Sequence, residues 1–373
     1  MAKEFPLEEA NPESLGFVPE RLARLEKLIL RHIEEGRYPG CQIALARHGK
    51  LALFKTYGHA RTEPERTPAR DDTLWLLYSN TKILTMAAIW SLVEEGLLSF
   101  SDRVADHLPE FAARGKGEIT IFQVATHQAG FPSAVVSREA WADHARMRAE
   151  VCDFSLEWTP GSRMHYHGLS AHYTLAMVIE AISGEDYRHF IRRRVLAPLG
   201  LADELFVGVP QEELHRCADI SAAPEFAAIA DNSREFRMAG VPGGGGFGTA
   251  RAMAAFYQMM LQGGRLGSKR VFSPRLIQFV TRDFTGELID GYMKLPMHRG
   301  LGPHLRGHGP ETRGLGSLAS PTTFGHGGVG SSYCWGDPES GVSFAYITNH
   351  VAPEPWHSAR LDRISNLVHA AME

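Results

Sequence analysis

From Ile83 to Val93 the chain is apolar in every direction a helix could face: Ile83, Leu84, Met86, Ala87, Ile89, Trp90, Leu92 and Val93. That pattern predicts a helix buried on all sides, ending at Glu94-Glu95-Gly96. Residues 19–36 differ. Their apolar positions Leu22, Leu25, Leu28, Ile29 and Ile33 predict a helix with one buried face, closed at Gly36. The runs 41–46 and 51–54 flank His48-Gly49-Lys50 and predict a β-hairpin. Runs 331–335 and 342–348 predict two more strands, joined by turn chemistry at Asp337-Pro338-Glu339-Ser340-Gly341. Leu361, Ile364, Leu367 and Val368 put one face on a final helix over 357–371. Between 119 and 200 the pattern is mostly helical, including Ala171–Ser183 and Tyr187–Leu196, and 251–262 adds another helix.

Strands at both ends with helices between them imply an α+β chain. One antiparallel sheet is built from both termini and flanked by helices, with a mostly helical subdomain inserted. We expect a single domain, with the sheet region near 1–82 and 315–373 and the helical region near 83–314.

The 373 residues are 44% hydrophobic and 22% charged, an ordinary globular balance. The net charge of −4 offers nucleic acid no electrostatic footprint, and Arg192-Arg193-Arg194 reads as the solvated face of a helix. Cys41, Cys152, Cys217 and Cys334 form no C-x-x-C pair, and the apolar runs around Cys41 and Cys334 predict buried free thiols. The first residues, Met1 to Pro6, are polar, and no apolar run approaches a membrane span, so the expectation is a cytoplasmic protein. The run Pro242-Gly243-Gly244-Gly245-Gly246-Phe247-Gly248 lacks a following Gly-Lys-Ser/Thr and reads as close backbone packing, not a phosphate loop. His298, His304 and His308 are irregularly spaced without an acidic or cysteine partner, so we expect a mobile loop lining a cleft and no metal.

The candidate chemistry lies where the buried helix begins, at Ser79-Asn80-Thr81-Lys82. A spacing of three puts Ser79 and Lys82 on one helical face. Burial disfavours a charged amine, which makes Lys82 a candidate base. Ser79, in an N-cap position at the positive end of the helix dipole, is a candidate nucleophile.

Two further segments change the picture: Pro160-Gly161-Ser162-Arg163-Met164-His165-Tyr166-His167-Gly168, and Phe324-Gly325-His326-Gly327-Gly328-Val329-Gly330 before a strand. With Ser79-x-x-Lys82 they resemble, in order, the three motifs of the serine β-lactamase and penicillin-binding-protein superfamily, nearest its class C-like esterase branch. Residues 119–130, Ala197-Pro198-Leu199-Gly200-Leu201 and Asp337-Pro338 are similar to that family as well. The resemblance implies a β-lactamase-like fold and an acyl-enzyme on Ser79. Lys82 and Tyr166 would share the proton work, with Lys82 as the cation that makes a Tyr166 phenolate accessible. The backbone N–H groups of Ser79 and of Val329, the latter at the start of a strand, would form the oxyanion hole. His326, Gly327, Gly328, His167 and Gly168 would meet a small-molecule ester or acyl substrate, without metal or cofactor.

Two departures narrow the substrate. Gly168 stands where β-lactamases and peptidases of the family carry asparagine, and His326 where they carry lysine. A histidine grips a carboxylate weakly at neutral pH and becomes charged only below about pH 6. Both changes resemble the esterase members. The resulting expectation is a serine ester hydrolase. An acyltransferase on the same acyl-enzyme, a β-lactamase or D-aminopeptidase, and a non-catalytic binding protein are the alternatives.

Overall fold

The computed structural model describes residues 5–311 and 314–373. Strand β1 (Gly40–Arg47) returns as β2 (Lys50–Arg61) through His48 and Gly49. Both turn residues have positive φ, as a two-residue hairpin turn requires. The far end of the chain supplies β3 (Phe324–Gly328), β4 (Ser332–Asp337) and β5 (Val342–Thr348). β5 pairs antiparallel with β1, setting Phe344 opposite Leu45, so the sheet joins both ends of the chain. Its order is β2-β1-β5-β4-β3, with two-residue strands Glu8–Glu9 and His304–Leu305 at the edges.

Five helices frame it: α1 (Pro19–Glu34), α2 (Thr81–Glu94), α3 (Ser170–Ser183), α4 (Ala250–Leu261) and α5 (Trp356–His369). Alternation along the strands assigns them to faces. Cys41, Ile43, Leu45, Phe344 and Tyr346 share a core with Leu25 and Ile29 of α1 and Leu361 and Ile364 of α5. Ala44, Ala46 and Ala345 belong to the other core, with Met253 and Tyr257 of α4. Short side chains on that face let α4 lie close to the sheet. Gln42 Oε1 accepts the N–H of Ala250 at 2.7 Å, and Gln258 Nε2 donates to the Ala46 carbonyl at 3.1 Å.

Behind α4, α2 is buried from Thr81 to Leu92, and Trp90 Nε1 donates to the Leu301 carbonyl at 2.9 Å. The glycine run packs against the start of α2. Gly246–Gly248 pairs with Trp75–Leu76 and Leu205–Val207 in a small second sheet. A Cβ on Gly246 would lie 2.7 Å from Thr81 Oγ1, so glycine is needed there for close approach.

The expected helical stretch 119–200 is less regular than its pattern. Helices occupy Ile121–Ala125, His144–Cys152, α3 and Tyr187–Ile191, the last continuing through a π-helical turn at Arg192–Leu196. Residues between them are largely loops whose carbonyls find side-chain donors. Lys116 Nζ, for example, donates to Ala113, Cys152 and Phe154 at 2.8, 3.0 and 2.6 Å. All four cysteines are buried and free. Arg192 and Arg193 are exposed. No helix among the described residues is long and apolar enough to cross a membrane.

Replacing Ala345 with leucine adds volume where α4 meets the sheet. Overpacking of this kind destabilises by about 1–3 kcal/mol. A urea melt should show the loss as a lower midpoint with unchanged slope.

Candidate active site

Tyr78 holds φ at 44°, the left-handed region that non-glycine residues rarely occupy. Its hydroxyl donates to the Ile229 carbonyl at 2.8 Å, which helps hold that bend. Tyr78–Asn80 form a single 3₁₀ turn and α2 begins at Thr81. The expected capping role of Ser79 is therefore corrected. Its hydroxyl caps nothing and is left for two other side chains. Asn80 secures the turn, with Nδ2 donating to the Leu77 carbonyl at 3.2 Å and to Ser332 Oγ of β4 at 3.0 Å. The glycine run clamps it from behind, through Leu77 N–H to the Gly246 carbonyl at 2.9 Å and Gly246 N–H to Thr81 Oγ1 at 2.8 Å.

Lys82 is wholly buried. Its Nζ donates to the Gly243 carbonyl at 2.6 Å and lies 3.0 Å from Ser79 Oγ. Burial, reinforced by the positive charge of Arg299, holds the amine well below its ordinary range. A neutral amine has a lone pair to accept the Ser79 proton. Tyr166 Oη donates to Ser79 Oγ at 2.9 Å. Burial pushes this phenol up to about 12, against the opposing pull of Ser79 and Arg299. Tyr166 Oη and Lys82 Nζ thus both meet the Ser79 hydroxyl oxygen, at 2.9 and 3.0 Å. Against the expectation of an accessible Tyr166 phenolate, burial favours the protonated phenol. Lys82 Nζ sits 5.0 Å from the Tyr166 ring centre with its charged form disfavoured, and the Arg299 guanidinium lies 5.1 Å from the same ring.

The third motif lies across from this triangle. Phe324–Gly328 is itself a strand, and Val329 belongs to the turn before β4, not to the start of a strand. A Cβ on Gly328 would lie 2.7 Å from the Leu77 carbonyl, so Gly328 brings Val329 close to the Tyr78–Ser79 turn. Gly327 stays partly open.

His326 is only 2% exposed, and its Nδ1 donates to the Gly327 carbonyl at 2.9 Å. Burial, then Lys82, push it down to about 3. The expected carboxylate grip that charges below pH 6 is therefore wrong, because desolvation outweighs the ordinary titration of imidazole. His167 is fully buried and is corrected too. It accepts the Phe131 N–H at 3.1 Å and donates to the His165 carbonyl at 2.6 Å, a structural link away from substrate. Gly168 is open, since a Cβ there would meet nothing within 4 Å.

The three loop histidines diverge. His298 is buried against Asp283, 2.6 Å away, and His308 is exposed. Only His304 joins the site, its ring 4.1 Å from that of His326. Among the described residues, the group that brings ligand atoms within 4.8 Å is His144, Glu180 and Asp186. Arg188 and the Tyr187 N–H already occupy its carboxylates. Sequence reasoning missed the Gly243 carbonyl, His127, Asp290 and Arg299. Asp290 was hidden in an apolar run, Leu288-Ile289-Asp290-Gly291-Tyr292-Met293, with no motif to mark it.

Comparison with known proteins bears on the family and the fold. The family model described as Beta-lactamase matches residues 25–368. An Escherichia coli (strain K12) protein provisionally named a D-alanyl-D-alanine carboxypeptidase is 26% identical, over 93% of this chain and 87% of its own. The crystal structure of a family VIII carboxylesterase superposes with a TM-score of 0.81 at 26% identity, over 93% of this chain and 97% of that one. A penicillin-binding protein homologue from Caulobacter crescentus superposes with a TM-score of 0.82 at 27% identity, over 96% and 99%.

Asn80→Ala removes the tie between the Ser79 turn and β4. Losing both side-chain hydrogen bonds of this buried amide should lower stability by about 1–3 kcal/mol. Modification of Ser79 by a fluorophosphonate, followed by intact mass, should slow in step. Unchanged labelling would show that the turn holds without Asn80.

Proposed function

The chain belongs to the β-lactamase family, and from that premise we propose that it hydrolyses neutral carboxylic esters through an acyl-enzyme on Ser79. The hydrogen-bonded triangle of Ser79, neutral Lys82 and protonated Tyr166 carries this reading. In it, Lys82 accepts the Ser79 proton as Oγ adds to the ester carbonyl. The N–H groups of Ser79 and Val329 receive the oxyanion. Tyr166 gives its proton to the departing alkoxide and regains one from the Lys82 ammonium across the serine oxygen. Water then repeats the sequence in reverse, restoring Ser79 and releasing the acid.

The substrate reading rests on what surrounds the triangle. A carboxypeptidase or β-lactamase substrate brings a carboxylate that needs a cation. His326 is buried and neutral, and Arg299 is already paired with Asp290. Gly168 offers no amide for an acylamide side chain. Beside the triangle, Tyr292 is exposed with its ring 5.9 Å from that of Tyr166, and the exposed apolar Leu169 and Val329 adjoin Gly168 and Gly328. Apolar surface gathered in one place marks a binding region for apolar groups. These features, and the likeness to a carboxylesterase, support a neutral, apolar ester.

Ser79→Ala should fold normally, lose fluorophosphonate labelling and lose p-nitrophenyl ester hydrolysis. Lys82→Ala and Tyr166→Phe should each lower turnover by at least about a hundredfold. The double variant should fall well short of the product of the two losses, because one relay is broken only once. Retained turnover in folded Ser79→Ala protein would refute the acyl-enzyme.

The kcat/KM for a p-nitrophenyl ester should far exceed that for a chromogenic cephalosporin. Against pH, it should fall on the acid side as Lys82 gains its proton. It should stay flat past pH 10, the ordinary tyrosine value, because Tyr166 keeps its proton up to about 12. A preference for the cephalosporin would replace the esterase reading with the β-lactamase one.

A further inference from the structure

One buried ion pair in the site has no part in the chemistry above. Asp290 has no exposed surface and Arg299 has 2%. The carboxylate faces the guanidinium through Oδ2, 2.5 Å from Nη2, and through Oδ1 it accepts the backbone N–H of Tyr166 at 3.1 Å and of Tyr292 at 2.8 Å. Arg299 lies 5.1 Å from the Tyr166 ring centre. Its Nη1 donates to His304 Nε2 at 2.7 Å, so the His304 proton sits on Nδ1. The His304 ring in turn lies 4.1 Å from His326. One line of contacts therefore runs from the third motif to the backbone and ring of Tyr166.

A buried ion pair is weak evidence of stabilisation, since well-packed apolar residues often serve as well. This pair touches the one residue of the relay that must lend a proton and recover it. The histidines around the same pocket, His127, His167, His172 and His326, are all held neutral by burial. The fixed charges acting on Tyr166 and Lys82 are Arg299 and, for Tyr166, Asp290. Positive charge there favours a phenol that is giving up its proton and disfavours a premature ammonium on Lys82.

We propose that Asp290 and Arg299 are positioning residues of the proton relay: the carboxylate fixes the backbone of Tyr166, and the guanidinium sets a permanent positive charge against its ring. The inference rests on the acyl-enzyme reading of Ser79.

The test compares wild type with Arg299→Lys and with the neutral double variant Asp290→Asn, Arg299→Gln. In the double variant, the amide oxygen of the introduced asparagine can still accept the Tyr166 N–H while both charges are gone. Two readouts are followed against pH: hydrolysis of p-nitrophenyl acetate, and the rate of Ser79 labelling by a fluorophosphonate. In the double variant KM should stay within about threefold while kcat falls at least about tenfold. The acid limb of both readouts should move up by about half a pH unit or more, because Lys82 is protonated more easily without Arg299. Arg299→Lys should restore the wild-type limb and most of the rate. A double variant with wild-type kcat and limb overturns the proposal. So does a rate loss with an unmoved limb that lysine fails to rescue, which marks the pair as packing alone. If the double variant does not fold, Arg299→Lys decides: an unmoved limb supports the proposal, and a shifted limb despite the retained charge overturns it. Failure of wild type to label at Ser79 refutes the acyl-enzyme itself, and shows before any variant is compared.

Discussion

The site depends on an amine buried without a counter-ion. Lys82 has no ion pair among the described residues, only the Gly243 carbonyl and the Ser79 hydroxyl within hydrogen-bonding reach. Enclosure of this kind disfavours the charged ammonium and draws the amine well below its ordinary range. Helix α2 enforces it, because a helix apolar on every side leaves Lys82 no route to solvent.

The surrounding architecture keeps that arrangement rigid. The Ser79 turn is held to β4 by the hydrogen bond from Asn80 to Ser332, to the small second sheet through Gly246, and by the left-handed bend at Tyr78. Gly328 can approach the turn only because it has no Cβ. Strain at Tyr78 is of the kind found where a side chain must be presented at a fixed angle. The site is thus assembled from segments more than two hundred residues apart, and the sheet that joins both ends of the chain brings them together.

Electrostatics within the pocket follow from the same burial. Four histidines close to the triangle are kept neutral, with hydrogen bonds fixing the ring proton in His167 and His326. They fill the floor with polar groups without adding charge. Charge enters through Arg299 and its partner Asp290, whose carboxylate accepts the backbone N–H of Tyr166.

The sequence by itself determined the helices with strong periodicity, the two hairpins of the sheet, the burial of α2, and the three motifs holding Ser79, Lys82 and Tyr166. Those features are local: an apolar repeat, a turn dipeptide or a three-residue spacing is visible within a short window. It also carried the reading of the glycine run as close packing, since Gly-Lys-Ser/Thr was missing. Only the tertiary structure decided the protonation of the site. His326 looked like a weak cation and His167 like a substrate contact because an imidazole titrates near neutrality in water. Burial by segments distant in sequence removed both from that role. The same holds for Asp290 and Arg299, whose partnership with Tyr166 spans more than a hundred residues. A pKa belongs to the enclosure around a side chain, and that enclosure exists only once the chain has closed on itself.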